Sequence, residues 1–265
     1  MQKHSHLLLD IEGTIVLDKR YTPVPGSVRW FNSLAKKGVK ARLVTNNTTE
    51  SPDHLYDILR KRGFKFARDD FFTCLTVALA RMKRNPAKGG AKSCLVFGKQ
   101  AVKKYLRQNG IKPMDSKNVD AVLIGHDPTV TYKKLNTAVG AIIENGAKLY
   151  TLHRNRRFVD ENREIVMSSG PIAKALENAC LVRASLCGKP DRRFYLSSIK
   201  GWDVERSEIL MVSDDPFADL IGAKKIGMKT CWVLTGSQKD RNVVKKIAKK
   251  YHPDYILDSV TDIPG

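Results

Sequence analysis

The chain has 265 residues, enough for one large α/β domain or for a core that carries an inserted smaller domain. Hydrophobic residues make up 42% and charged residues 28%, which is ordinary globular usage and excludes wholesale disorder and fibrous repeats. A formal net charge of +20 favours phosphate-bearing partners. Basic residues run along the whole chain without interleaved aromatic residues, so we expect small anions rather than specific nucleic-acid binding.

No apolar run approaches the ~20 residues that would cross a bilayer, and the amino terminus lacks the apolar segment of a signal peptide. We therefore expect a cytoplasmic protein without a membrane partner. The five cysteines form no Cys-x-x-Cys pair and have no histidine at zinc spacing, which predicts reduced, structural thiols.

The first predicted element is a buried strand that ends in acidic residues. Leu7, Leu8 and Leu9 run into Asp10-Ile11-Glu12-Gly13-Thr14. Such a strand delivers carboxylates to the carboxyl edge of a sheet, where open α/β proteins keep their sites. The alternative is a strand-ending aspartate that only caps a turn.

A second strand with a polar end follows. The spacing of apolar residues predicts a helix from Pro25-Gly26 to Gly38, then a strand over residues 40–44 that runs into Thr45-Asn46-Asn47. Another helix is predicted to begin near Ser51-Pro52. Thr45 either supplies a hydroxyl to a site or is a turn residue.

The middle of the chain predicts a self-sufficient α/β insert. A helix over residues 73–84 leads to the linker-like stretch 85–90. Beyond it we predict strands over 93–98, 120–125 and 147–152, and helices centred on 102–106, 135–143 and 172–181. We assign residues 1–78 and 184–265 to a core domain and 79–183 to the insert.

The last third returns to the pattern of the first. A strand over residues 208–212 ends in Ser213-Asp214-Asp215, with Asp219 in the following helix. Further elements are predicted as a strand over 229–236, a basic amphipathic helix around 243–247 with a solvated charged face, and a strand over 255–257.

The strand ends predict a shared site. Parallel strands bring their carboxyl ends together, so the acidic residues and Thr45 can meet although they are distant in sequence. Clustered carboxylates need a counter-charge, and a hard divalent cation with oxygen ligands such as Mg²⁺ fits best. Lys189 would add a positive charge for a phosphate group.

Four ordered stretches carry a family resemblance: residues 10–14, 45–47, 188–190 and 213–219. They resemble the motifs of the haloacid dehalogenase superfamily, and residues 125–135 are similar to the large α/β cap of its NagD-like branch, which includes p-nitrophenyl phosphatases. The resemblance implies a doubly wound, Rossmann-like parallel-sheet core with an inserted smaller α/β cap domain. Because the cap often contributes to dimer contacts in this branch, a homodimer is compatible with it.

The resemblance also implies roles for matching residues. Asp10 would be the nucleophile that forms an aspartyl-phosphate, and Glu12 the general acid and base. Mg²⁺ would be held by Asp10, the backbone carbonyl of Glu12 and Asp214. Phosphate-binding roles fall to Gly13, Thr45, Asn46 and Lys189, and Asp215 or Asp219 would orient the metal-bound waters or Lys189.

Two departures from the family pattern matter. Most members carry aspartate where this chain has Glu12, although enolase-phosphatases of the same superfamily share the Asp-Ile-Glu-Gly-Thr stretch. The insert carries the basic stretch 151–157 where relatives have a short Thr-Asn-x-Asp type segment. Arg154 and Arg156 would either close over an anionic substrate or form a solvated edge.

The sequence therefore predicts a Mg²⁺-dependent hydrolase of small phosphomonoesters, of the sugar phosphate, nucleotide or phosphoglycolate type. The alternative is a catalytically weak or inactive protein of the same fold that binds phosphate-bearing or polyanionic partners.

Overall fold

The computed structural model describes residues 4–84, 89–159, 164–236 and 238–264. Contacts within the chain divide it into two units. The first unit comprises Met1–Thr45, Asp53–Phe72 and Lys189–Gly265, and the second comprises Asn46–Pro52 and Thr73–Gly188. Among the described residues, no helix is long and apolar enough to cross a membrane.

Strands and helices alternate along the described residues. The strands are β1 (His6–Leu9), β2 (Lys40–Thr45), β3 (Phe71–Thr73), β4 (Ser93–Phe97), β5 (Lys112–Pro113), β6 (Ala121–Ile124), β7 (Lys148–Thr151), β8 (Arg157–Val159), β9 (Ile165–Met167), β10 (Ser185–Leu186), β11 (Ile209–Ser213), β12 (Lys229–Val233) and β13 (Tyr255–Leu257). The α-helices are α1 (Ser27–Leu34), α2 (Pro52–Lys61), α3 (Cys74–Lys83), α4 (Gln100–Gln108), α5 (Tyr132–Ile143), α6 (Ser169–Cys180), α7 (Arg192–Ser198) and α8 (Ile221–Lys225).

The first unit is built on a six-stranded sheet in the order β13-β12-β11-β1-β2-β3. β1 lies between β11 and β2 and pairs with both in parallel. All four residues of β1 and all five of β11 are buried, because helices cover both faces of such a sheet. The carboxyl ends of β1, β2 and β11 consequently lie side by side.

The second unit has its own parallel sheet and its own core. Its five strands follow the order β10-β7-β6-β4-β5, and β8 pairs with β9 as an antiparallel ribbon. Apolar residues of β4 and β6 pack with those of α5 and α6 in a separate cluster. The predicted α/β class, with a parallel-sheet core and a smaller α/β insert, is confirmed.

Several local predictions need correction. The basic segment near the carboxyl terminus is a 3₁₀ helix, Arg241–Lys246, and not an amphipathic α-helix. Pairs of lysines four residues apart, such as Lys245 and Lys249, repel each other in an α-helix, while a short turn already buries Val243 and Ile247.

The ribbon of β8 and β9 was missed, because its alternation is only three residues long in each strand. The long segment of the second unit runs from Thr73 to Gly188, and the predicted domain boundaries at 79 and 183 stay a prediction. Residues 85–88 of the predicted linker lie outside the described residues. No disulfide joins the five cysteines, all of which are described and buried.

Candidate active site

Asp10 is the first residue after β1 and lies at the carboxyl edge of the six-stranded sheet. Its backbone N–H donates to the carbonyl of Val212, which extends the pairing between β1 and β11 by one residue. The side chain is buried, with 7% of the residue exposed. A buried carboxylate requires a charged or hydrogen-bonding partner in the protein.

That partner is Lys189, whose ammonium bridges two carboxylates. Its Nζ lies 2.5 Å from Oδ1 of Asp10 and 2.7 Å from Oδ2 of Asp219. The lysine is 2% exposed. Burial alone would lower the pKa of Lys189, but the two carboxylates outweigh it and raise the pKa, so the side chain stays charged.

Asp219 is itself held in place by two hydroxyl groups. Ser213 Oγ donates to Asp219 Oδ2 over 2.6 Å, and the phenol of Tyr195 donates to the Asp219 carbonyl over 2.7 Å. Sequence reasoning left open whether Asp215 or Asp219 would orient Lys189. In the structure, Asp219 contacts the lysine, whereas Asp215 caps the next helical turn by accepting from the backbone N–H groups of Phe217 and Ala218.

Glu12 and Thr45 meet at the ends of β1 and β2. Thr45 is fully buried, and its Oγ1 donates to Oε2 of Glu12 over 3.3 Å. The other carboxylate oxygen, Oε1, accepts from Lys19 Nζ over 2.8 Å. The predicted acid and the predicted phosphate-binding hydroxyl are therefore neighbours.

Asp214 follows β11 and lies against two glycines. A Cβ added at Gly13 would lie 2.4 Å from Asp214 Oδ2, and one added at Gly236 would lie 1.9 Å from it. Gly13 also has a φ of +79°, which other residues rarely adopt. Both positions must therefore be glycine for the carboxylate to keep this place.

The first-unit site holds more negative than positive charge. Burial raises the pKa of Asp10, the carboxylates of Asp219 and Asp214 raise it further, and Lys189 opposes them. Burial and Asp219 likewise raise the pKa of Asp215. One lysine does not compensate this cluster, so a hard divalent cation with oxygen ligands fits it.

The side chains alone do not complete a metal site. In the described parts of the chain, no group of three Asp, Glu, His or Cys residues is arranged to hold a metal ion. Asp10 and Asp214 could supply two ligands, with the backbone carbonyl of Glu12 and oxygens from phosphate or water as the others. With these additional oxygen ligands, the site fits Mg²⁺.

Three of the predicted phosphate-binding residues belong to the second unit. Asn46 lies beside Gly188, where an added Cβ would come 2.2 Å from the Asn46 Oδ1. Arg154 donates to both oxygens of Glu177 over 3.1 and 2.5 Å, so its charge is compensated within that unit. Arg156 is exposed, and a substrate-binding role for all three stays a prediction.

Sequence reasoning missed Lys19, Tyr195 and Gly236. Lys19 and Tyr195 act through side-chain contacts that no periodic pattern encodes. Gly236 could have been predicted from the sequence, because it follows the buried strand β12 at the same edge of the sheet as Asp10 and Asp214.

Family models match two parts of the chain. Residues 7–112 match the haloacid dehalogenase-like hydrolase family, and residues 186–263 match the HAD-hydrolase-like family. The human haloacid dehalogenase-like hydrolase domain-containing protein 2 is 31% identical over 88% of this chain and 85% of its own length. Human phospholysine phosphohistidine inorganic pyrophosphate phosphatase is 26% identical over 97% of this chain and 90% of its own length.

A solved structure shares the fold over nearly the full length. The p-nitrophenyl phosphatase from Archaeoglobus fulgidus has a TM-score of 0.85 and 23% identity, and the match covers 98% of both chains. This similarity shows the fold, and the family matches together with the 31% identical human relative show that the chain belongs to the haloacid dehalogenase-like hydrolases.

Proposed function

We propose that the protein hydrolyses small phosphomonoesters through an aspartyl-phosphate on Asp10, with Mg²⁺ as cofactor. The contact of the buried Lys189 ammonium with both Asp10 and Asp219 is the observation that carries this proposal. A lysine so placed neutralises a nucleophilic carboxylate and the phosphoryl group that approaches it. The phosphatase names of relatives support the reaction class.

The reaction would proceed in two displacements. In the first, an Asp10 carboxylate oxygen attacks phosphorus, the ester P–O bond breaks, and Glu12 gives its proton to the leaving oxygen. In the second, Glu12 takes a proton from water, the water oxygen attacks phosphorus, and the bond to Asp10 breaks to release phosphate. One water is consumed, and both side chains return to their starting state.

The remaining residues position and stabilise the phosphoryl group. Thr45, whose Oγ1 donates to Glu12, and Lys189, whose Nζ donates to Asp10, are both buried. Asp10 and Asp214, with the Glu12 carbonyl, would hold Mg²⁺, which would screen the charge of the phosphate from that of the nucleophile. Removal of the metal should therefore abolish turnover.

The test is a screen of p-nitrophenyl phosphate and a panel of sugar phosphates, nucleotides and phosphoglycolate, with and without Mg²⁺. We expect turnover by the wild type and by the Asp258→Asn control, whose carboxylate is on the surface. The Asp10→Asn variant should show no turnover. If instead the wild type is inactive on the panel and binds RNA or DNA in a salt-sensitive way that Asp10→Asn leaves unchanged, the polyanion-binding alternative holds.

A further inference from the structure

We infer that Lys19 is a positioning residue that holds the carboxyl group of Glu12 at the reaction centre. This inference rests on the proposed function. It explains how the chain accommodates a glutamate where most relatives carry aspartate. The extra methylene gives Glu12 one more rotatable bond and a longer reach, so an aspartate-shaped site would leave its carboxyl group less well fixed.

The carboxyl group is fixed through both of its oxygens. Oε2 accepts from Thr45 Oγ1, which lies at the end of β2, and Oε1 accepts from Lys19 Nζ. The side chain of Glu12 is 20% exposed, so this pair borders solvent rather than lying in the core. Two donors on opposite oxygens select one orientation of the carboxyl plane.

Lys19 extends from an ordered turn, which makes it suitable for this task. Asp18 Oδ1 accepts from the backbone N–H groups of Arg20 and Thr22 over 3.0 and 3.2 Å. The backbone N–H of Leu17 donates to the carbonyl of Thr22 over 2.8 Å, and Tyr21 is buried in the hydrophobic core. The backbone that carries Lys19 is therefore held by contacts of its own.

The contact between Lys19 and Glu12 serves to orient the Glu12 carboxyl group rather than to stabilise the fold. The Lys19 side chain is 50% exposed, and exposed ion pairs contribute little to folding because water and salt screen them. Misplacement of a catalytic group by ~1 Å, in contrast, can cost ~10²-fold in rate. Removal of the Lys19 side chain should therefore lower the rate of the chemical step and leave the midpoint of thermal unfolding unchanged.

Leaving-group dependence separates this role from substrate binding. A poor leaving group such as phenolate needs the proton of Glu12, whereas p-nitrophenolate departs with little help. We expect Lys19→Gln to lower kcat/KM for phenyl phosphate by about tenfold more than for p-nitrophenyl phosphate. The inhibition constant of inorganic phosphate should stay within about twofold, and Lys19→Arg should restore much of the lost rate.

Matched variants complete the experiment. Lys117→Gln removes a lysine of similar exposure that pairs with Glu144 in the second unit, and it should behave as wild type. In a Glu12→Gln background, Lys19→Gln should have no further effect on phenyl phosphate hydrolysis, since the two residues act together.

Each other outcome overturns the inference. Equal losses on both substrates, or a weaker affinity for inorganic phosphate, would show that Lys19 binds substrate or only supports the fold. An unchanged kcat/KM on both substrates would show that it has no role. A wild type without Asp10-dependent turnover would remove the proposed function itself, which is a different result.

Discussion

Replacing Gly236 with alanine tests whether the position of Asp214 controls metal binding. The added Cβ would lie 1.9 Å from Oδ2, 2.3 Å from Cγ and 2.4 Å from Cβ of Asp214. Real Cβ atoms essentially never come closer than 3.0 Å to another heavy atom, so the carboxylate must retreat by about 1 Å. We expect this displacement to weaken Mg²⁺ binding by ~10- to 100-fold.

The assay is a Mg²⁺ titration of p-nitrophenyl phosphate turnover at saturating substrate. Gly236→Ala should need ~10- to 100-fold more Mg²⁺ for half-maximal rate, and overpacking should cost about 1–3 kcal/mol of stability. Gly98→Ala is the control, because its added Cβ would make only ordinary contacts of 3.5 Å with Val96 and Val102. A Gly236→Ala protein that is folded and has the wild-type Mg²⁺ requirement would refute a metal-binding role for Asp214.

Three further variants test the charged contacts. Lys189→Met should remove turnover and lower the free energy of unfolding by about 3–5 kcal/mol, because it leaves two buried carboxylates without a positive partner. Activity assays and urea unfolding measure the two effects, and a stability equal to that of the wild type would contradict the buried ion pair. Ser213→Ala should reduce kcat several-fold and the free energy of unfolding by about 1 kcal/mol, because Asp219 loses a hydrogen-bond donor. An unchanged kcat would show that this hydroxyl does not position Asp219. Arg154 lowers the pKa of Glu177 from its ordinary 4.5 to about 2, so their pair stabilises the protein above about pH 4.5 and this contribution is lost as the pH falls towards 2. Glu177→Gln should therefore be less stable than wild type at pH 7 and differ less at pH 3 in thermal unfolding; a constant difference would contradict this.

The parts of the site that lie at strand ends could be predicted from the sequence. Asp10, Thr45 and Asp214 each follow a buried apolar run, and the parallel pairing of β1, β2 and β11 brings such positions to one edge. Lys189 lies at the end of no strand of this sheet, and only the expected counter-charge for a phosphate group and the family resemblance pointed to it. The alternation of strands and helices fixed the fold class for the same periodic reason.

Contacts made across turns could not be predicted. The lysine that pairs with Glu12 lies seven residues further along the chain, beyond a turn that has no helical or strand period. The pairing of Arg154 with Glu177 joins a loop to α6 and depends on how the second unit packs. Charge alone left open whether Arg154 faces a substrate or solvent, and it could not reveal that Glu177 pairs with it.

The stereochemical course at phosphorus distinguishes an aspartyl-phosphate on Asp10 from direct attack by water. A thiophosphate monoester that is chiral at phosphorus through oxygen isotopes can be hydrolysed in isotopically labelled water, and the configuration of the product then determined. Attack by Asp10 followed by attack of water inverts the configuration at phosphorus twice, so we expect net retention. Inversion would mean that water attacks the ester directly, and it would contradict an aspartyl-phosphate on Asp10.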